Sequence, residues 1–205
     1  TTHLHNLLAT HPDVIVPKWV QAMSPQGFWI SWAFLRWALV PFLPNTRPQD
    51  DVAFGPDWPA EDDFAHNNWA LASSLPARLV LPGKLDSQFR FHDLQGLSEY
   101  ARWARVCSAF VWKVCAGHRR KTLVLKTPSH TARVRHLDQL FGQRVRFVHI
   151  ARDSSAVVRS NVAMHARLEG QSLCPLPGAD ETRERIVREY IATEEQFAED
   201  VKVLG

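Results

Sequence analysis

The chain has 205 residues, of which 45% are hydrophobic and 22% charged, with a net charge of +3 at neutral pH. Those values exclude a disordered, collagen-like or coiled-coil chain and leave one ordinary domain, long enough to bury its own core. A charge of +3 is too small to argue by itself for a nucleic-acid or membrane partner, and the ten histidines add charge only in acid.

Thr1 to Leu8 reads as the first turns of a helix, with Leu4, Leu7 and Leu8 on one face. Its two threonines serve as a cap or, with the free N–H groups of a helix start, as an anion site. Pro12 ends that helix, and Val14 to Val16 follows as a short buried strand or extended piece. The segment from Gln26 to Phe42 is the most apolar of the chain. At roughly 16 residues with Arg36 in its middle, it falls short of the ~20 that span a bilayer. It is expected to be a buried or semi-buried helix first, a wall of an apolar substrate cavity second, and a membrane-surface attachment third.

Pro44 to Pro59 holds too many prolines and aspartates for regular structure and reads as loop. Glu61, Asp62 and Asp63 then open a helix, either as complements of its dipole or as a general base at the mouth of a pocket. A second loop lies at Pro76 to Pro82. Ser98 to Ala116 is an amphipathic helix whose core face carries Tyr100, Trp103, Val106, Cys107, Phe110 and Val111, and Gly117 stops it.

Leu123 to Ser160 is the stretch around which the rest is organised. Leu123–Leu125 and Val145–Ile150 are short apolar runs, separated by helical spacing at Ala132, Val134, Leu137, Leu140 and Phe141. That spacing predicts a βαβ unit whose two strands pair in parallel, giving an α/β fold. Both runs end in polar clusters, 126–130 and 152–155, at the strand ends where open α/β sheets bind ligands. Basic residues in both clusters point to an anionic ligand. The helix after Arg152 carries on past Ser160 through Met164, Gly170 to Gly178 is loop, and Asp180 to Val203 is a charged amphipathic helix.

Cys107, Cys115 and Cys174 form no CxxC pair and read as reduced thiols of a cytosolic-type compartment. The start, TTHLHNLLATHP, lacks the basic flank and apolar core of a signal peptide, so the expected location is cytoplasmic. It also lacks an initiator Met, so we expect the true N-terminus upstream.

Arg152 and Ser160 stand eight positions apart, the first at a strand end and the second two turns into the next helix. A guanidinium fork matches a phosphate, a serine hydroxyl completes the cage, and Lys126 ends the neighbouring run with a mobile ammonium. With LKTPSHTARV (Leu125 to Val134), RFVHIARDSSAVVRS (Arg146 to Ser160), TRPQDDVAFG (Thr46 to Gly55) and PAEDDFA (Pro59 to Ala65) in this order, the chain resembles the sulfotransferases that use 3′-phosphoadenosine 5′-phosphosulfate (PAPS). The bacterial-type branch is the nearest.

The resemblance implies a single domain over residues 1–205 with a P-loop-like, three-layer α/β fold, a central parallel sheet between helices, and an aromatic acceptor-side insertion at about residues 19–75. It implies transfer of a sulfuryl group from PAPS to a hydroxyl or amine, with no metal required. Arg152 and Ser160 then take the 3′-phosphate, Lys126 takes the 5′-phosphate and sulfuryl end, and Thr1 and Thr2 are the tail of the phosphosulfate loop. The general base is Glu61 or Asp63, ranked together above His130. Aromatic residues from Trp19 to Trp37 and on to Trp69 suggest a small-molecule or lipid-like alcohol as acceptor, with neither nucleic acid nor an integral membrane segment involved. The strand and most of the loop that precede Thr-Thr in the family, and a segment after the last helix, are not among these residues, so the fold is expected to be incomplete at both ends. The competing readings are a decayed, non-catalytic binding module and a P-loop kinase; against the kinase, GxxxxGK[ST] is missing. Oligomeric state is left open.

Overall fold

The computed structural model describes residues 2–42, 46, 55–70, 97–118, 120–168 and 178–204. Thr1, most of Thr46 to Gly55, the loop at Pro76 to Pro82, Cys174 and the side chain of Arg36 lie outside the described residues. Among these residues the chain is mostly helical and carries a small parallel sheet, an α/β arrangement. The helices are α1 (Thr2–Leu8), α2 (Trp19–Met23), α3 (Phe28–Leu39), α4 (Asp62–Ala70), α5 (Leu97–Cys115), α6 (Val134–Phe141), α7 (Ser154–Leu168) and α8 (Ala179–Leu204). A 3₁₀ segment, Pro128–Arg133, leads directly into α6. Contacts divide the chain into two compact units, Thr1–Ser73 with Ala101–Thr127, and Ser74–Tyr100 with Pro128–Gly205.

In the first unit, β1 (Val14–Ile15) pairs in parallel with β2 (Thr122–Leu123), Val14 opposite Thr122 and Ile15 opposite Leu123. The ladder is extended at both ends: Thr122 N–H donates to the Asp13 carbonyl at 2.8 Å, and Val124 N–H to that of Ile15 at 2.9 Å. The core beside it consists of Ala22, Phe28, Ala60, Ala65, Phe110 and Val114, with Ile15, Trp19, Phe64, Trp69 and Leu123 packed around. Three- and four-residue spacing places Trp103, Val106, Cys107, Phe110 and Val114 on one face of α5; all five are buried, and Phe110 and Val114 join this core. Gly117, at φ +83°, ends the helical run, a backbone state with little penalty only for glycine.

Backbone bonds stitch residues 17–20 to residues 56–60. Trp19 N–H donates to the Trp58 carbonyl (2.9 Å), Val20 N–H to that of Pro56 (3.0 Å), and Ala60 N–H to that of Pro17 (2.8 Å). Lys18 Nζ adds an ion pair with Asp57 at 3.1 Å. Asn68 then donates from α4 to the Ala22 carbonyl at 3.0 Å, tying α4 to α2.

The second unit is helical among its described residues. Buried Asp200 on α8 accepts the Arg135 backbone N–H at 3.0 Å in the first turn of α6 and the Gln196 amide at 2.7 Å. His149 stacks on Phe197 of α8 with ring centroids 4.2 Å apart.

One expectation is corrected here. Leu123 finds its parallel neighbour in β1, whereas residues 145–150 join no ladder among the described residues and residues 146–150 are exposed. An apolar run fixes where side chains can go, but a strand also needs a partner backbone, and strands of parallel sheets are normally covered on both faces. The most apolar segment forms α3, where Phe28 is buried while Trp29, Ile30, Phe34 and Trp37 are 54%, 91%, 66% and 78% exposed. No described helix is long and apolar enough to cross a membrane.

Two substitutions separate these surfaces. Phe110→Ala is expected to cost about 3–5 kcal/mol, as for a fully buried aromatic ring, and Phe34→Ala less than about 0.5 kcal/mol. Urea unfolding midpoints of the two variants against the parent chain check this.

Candidate active site

The first unit gathers its polar groups at the carboxyl end of β2. Three residues beyond the strand, Lys126 forms an ion pair through Nζ with Oε1 of Glu61, the side chains being 18% and 20% exposed. Glu61 immediately precedes α4, and the stitching of residues 56–60 to residues 17–20 sets where that helix begins. The pair is half-sheltered, so it is less screened than a surface salt bridge yet still open to a ligand.

Behind Glu61 lies a sealed acidic cluster. Asp62, Asp63 and His66 have no exposed surface; His66 Nε2 is 3.7 Å from Asp62 Oδ2, and Nδ1 is 3.4 Å from Asp63 Oδ1. The edge-on rings of Trp103 and Phe110, each 6.2 Å from His66 between centroids, wall it in. Dipole complementation alone does not require such burial, because it operates at exposed helix starts. Both acids lie in the first turn of α4, where the helix dipole favours acidic side chains.

His5 on α1 completes the group. It is buried, with a hydrogen bond to the backbone of Val124, and its Nε2 makes no hydrogen bond among the described residues. Burial first, and then the Lys126 ammonium, lowers its pKa from 6.5 to about 4, against opposing contributions from Asp62 and the Val124 bond. The imidazole is therefore neutral at physiological pH and adds no second cation beside Lys126.

Of the residues picked out from sequence, the structure brings Lys126 and Glu61 together and places Asp63 in the sealed cluster behind them. Thr2 opens α1 and is half-buried. Arg152, Ser160 and His130 belong to the second unit. Arg152 is exposed just before α7, Ser160 is exposed on that helix, and Asp153 accepts the Ala156 N–H at 2.8 Å as its cap. His130 is half-buried on the 3₁₀ segment. His5, Asp62 and His66 escaped the sequence reading as site residues. For the last two a signal existed, since carboxylates three and four positions before a histidine meet it on one helix face. A lone histidine in α1 carries none. Cys107 and Cys115 are in no disulfide, and no group of described residues could hold a metal ion.

The partly open lysine–carboxylate pair at the end of β2 is suited to meeting an anion and to exchanging a proton. A model of the sulfotransferase family matches residues 1–200. The chain belongs to the sulfotransferase family. It is 28% identical over 197 residues to the omega-hydroxy-beta-dihydromenaquinone-9 sulfotransferase Stf3 of Mycobacterium bovis (strain ATCC BAA-935 / AF2122/97), covering 93% of this chain and 49% of that protein. The same figures hold for Stf3 of Mycobacterium tuberculosis (strain CDC 1551 / Oshkosh). The chain thus spans about half the length of the curated relatives it matches. No solved structure matches it significantly.

His5 gives stability a defined pH dependence. Between pH 6.5 and about 4 the unfolded chain binds a proton there that the folded chain does not, so stability falls with acidification through this window and levels off below it. The loss from this one group is at most about 3 kcal/mol. Urea midpoints measured from pH 7.5 to pH 4 should show a shallower acid slope for His5→Asn than for the parent; an unchanged slope would place the pH dependence on other groups.

Proposed function

We propose that the protein transfers a sulfuryl group from PAPS to the hydroxyl of a lipid-like alcohol. The observation that carries this reading is the Lys126–Glu61 pair at the carboxyl end of β2. The family membership and the relatives named for a hydroxylated menaquinone derivative support the chemistry and the class of acceptor. An anionic donor suits the residues present: Lys126 is still partly open, and Arg152 and Ser160 keep exposed side chains. In this reading Arg152 and Ser160 hold the 3′-phosphate, while Lys126, Thr1 and Thr2 hold the phosphosulfate end. PAPS supplies a sulfuryl group already activated by its bond to phosphate.

The protein's work is positioning and charge control, as in phosphoryl transfer. Glu61 takes the acceptor's hydroxyl proton as the acceptor oxygen bonds to sulfur and the sulfur–oxygen bond to phosphate breaks. Lys126 offsets the charge that collects on the departing phosphate oxygen. With no donor present, Lys126 neutralises Glu61. Anionic oxygens compete for the ammonium and release the carboxylate as a base, which couples donor binding to base activation. Glu61 is preferred to Asp63 because Asp63 has no exposed surface through which to meet an acceptor. It is preferred to His130 because Glu61 already faces the lysine.

Two measurements test the reading. Titration with 3′-phosphoadenosine 5′-phosphate should show binding that ATP with Mg²⁺ does not match, and Arg152→Ala should weaken it at least tenfold, about 1.4 kcal/mol or more. Preference for ATP would sink the proposal. Glu61→Gln is expected to lower turnover about 100-fold or more while leaving bisphosphate affinity within about a factor of two. Full turnover in that variant would move the base to Asp63 or His130.

A further inference from the structure

The outward face of α3 is built the wrong way round for a helix in water. Trp29, Ile30, Phe34 and Trp37 recur at the spacing of one helical face and are all more than half exposed, and Ala33 between them is exposed too. The polar Ser31 is turned inward instead, where its hydroxyl donates to the Gly27 carbonyl at 2.9 Å and meets Ser24. Trp112 of α5, 66% exposed, extends the face, its ring centroid 5.5 Å from that of Trp29. At roughly 150–250 Å² per aromatic side chain, these four rings alone leave about 400–650 Å² of apolar surface in water, at or above the largest patch of an ordinary monomer.

We propose that this face docks the protein onto an anionic lipid bilayer, with α3 lying in the plane of the interface. Charge selects this occupant. No aspartate or glutamate occurs from residue 14 to residue 49, or from residue 100 to residue 137, and these two stretches supply both halves of the patch. Exposed Arg120 and Lys121 follow the end of α5 beyond Trp112. Lys113 is committed to the protein: it donates to the Pro25 carbonyl at 2.8 Å and lies over the rings of Phe28, Trp29 and Trp69. Two copies meeting through this face would bring like charges together, whereas anionic headgroups neutralise them. Exposed tryptophan and phenylalanine in stretches whose charges are all basic are the composition of segments that lie at membrane surfaces. Twelve helical residues span about 18 Å, far too short to cross a hydrocarbon core of about 30 Å. The inference goes beyond the sulfuryl-transfer reading and stands without it; where both hold, docking brings the protein to an acceptor dissolved in the bilayer.

The test is flotation of the purified chain, without donor or acceptor, with vesicles of phosphatidylcholine alone and of phosphatidylcholine mixed equally with phosphatidylglycerol. The chain should float with the mixed vesicles, and less with phosphatidylcholine alone. The triple variant Trp29→Ser, Phe34→Ser, Trp37→Ser should lose at least about tenfold in bound fraction. Ile30→Glu, a single change at a site 91% exposed, should weaken binding severalfold and guards against misfolding of the triple variant. Arg120→Glu with Lys121→Glu should weaken binding to the mixed vesicles selectively. Absence of flotation by the parent chain, or equal flotation by the triple variant and by Ile30→Glu, overturns the proposal. So does a parent chain that ignores vesicles but dimerises in sedimentation velocity through a contact the triple variant abolishes. Titration of the same variants with 3′-phosphoadenosine 5′-phosphate separates this outcome from failure of the sulfuryl-transfer reading.

Discussion

Everything in the first unit depends on the main-chain bonds that join residues 17–20 to residues 56–60. Residues 17–18 and 56–60 are neither helix nor regular strand, Trp19 and Val20 open α2, and a single antiparallel bridge, Lys18 to Pro59, is all the sheet the two segments form. Buried backbone groups must find partners, and here each segment supplies the other's. Because Ala60 is held by the Pro17 carbonyl, Glu61 and the first turn of α4 have little freedom. Lys126 arrives from the other direction, on the chain leaving β2, whose parallel neighbour β1 lies only two residues before Pro17. The two ends of the ion pair are therefore delivered by one continuous backbone network.

That rigidity bears on the electrostatics. Three carboxyl groups stand in sequence at 61–63, yet they meet two different environments. Glu61 faces a cation and some solvent, while Asp62 and Asp63 are sealed around His66. All three stand in or just before the first turn of α4, where the helix dipole favours acidic side chains. The neutral state of His5 belongs to the same arrangement. A charged imidazole beside Lys126 would compete for Glu61 and add repulsion, and burial prevents both. Water exclusion, more than any single contact, sorts these groups by role.

Much of this was legible before any coordinates. The helices at Thr2–Leu8, Leu97–Cys115, Ser154–Leu168 and Ala179–Leu204 follow from apolar spacing, and Gly117 ends its helix through a positive φ that its identity announced. Lys126 and Glu61 were both readable as site residues, but their contact was not, because 65 residues separate them and no local pattern encodes a long-range ion pair. The pairing of Leu123 was misread for a similar reason. Val145–Ile150 is the longer and nearer apolar run, whereas Val14–Ile15 lies more than a hundred residues away. Hydrophobicity says that a strand wants a neighbour and does not say which. Asp62 and His66 were hidden by an adequate local explanation, since acids in a first helical turn need no further reason until their burial is seen.

Which face of α3 stays in water was hidden for a different reason. A continuous aromatic and aliphatic run is normally evidence of burial, because leaving about 400–650 Å² of it in water forgoes on the order of 10–15 kcal/mol of transfer free energy. Nothing in the period of the sequence contradicted that expectation, as residues on both faces of the helix are apolar and only Ser31 breaks the pattern with a described side chain. On the inward side Phe28 is buried and the Ser31 hydroxyl donates to the Gly27 carbonyl. What distinguishes α3 from an ordinary core helix is the charge of its surroundings, since acids are missing from its own stretch and from the stretch that carries Trp112. The second of these also contains Lys126. There its ammonium is already paired with Glu61, so the stretch that extends the apolar face also supplies the cation of that ion pair.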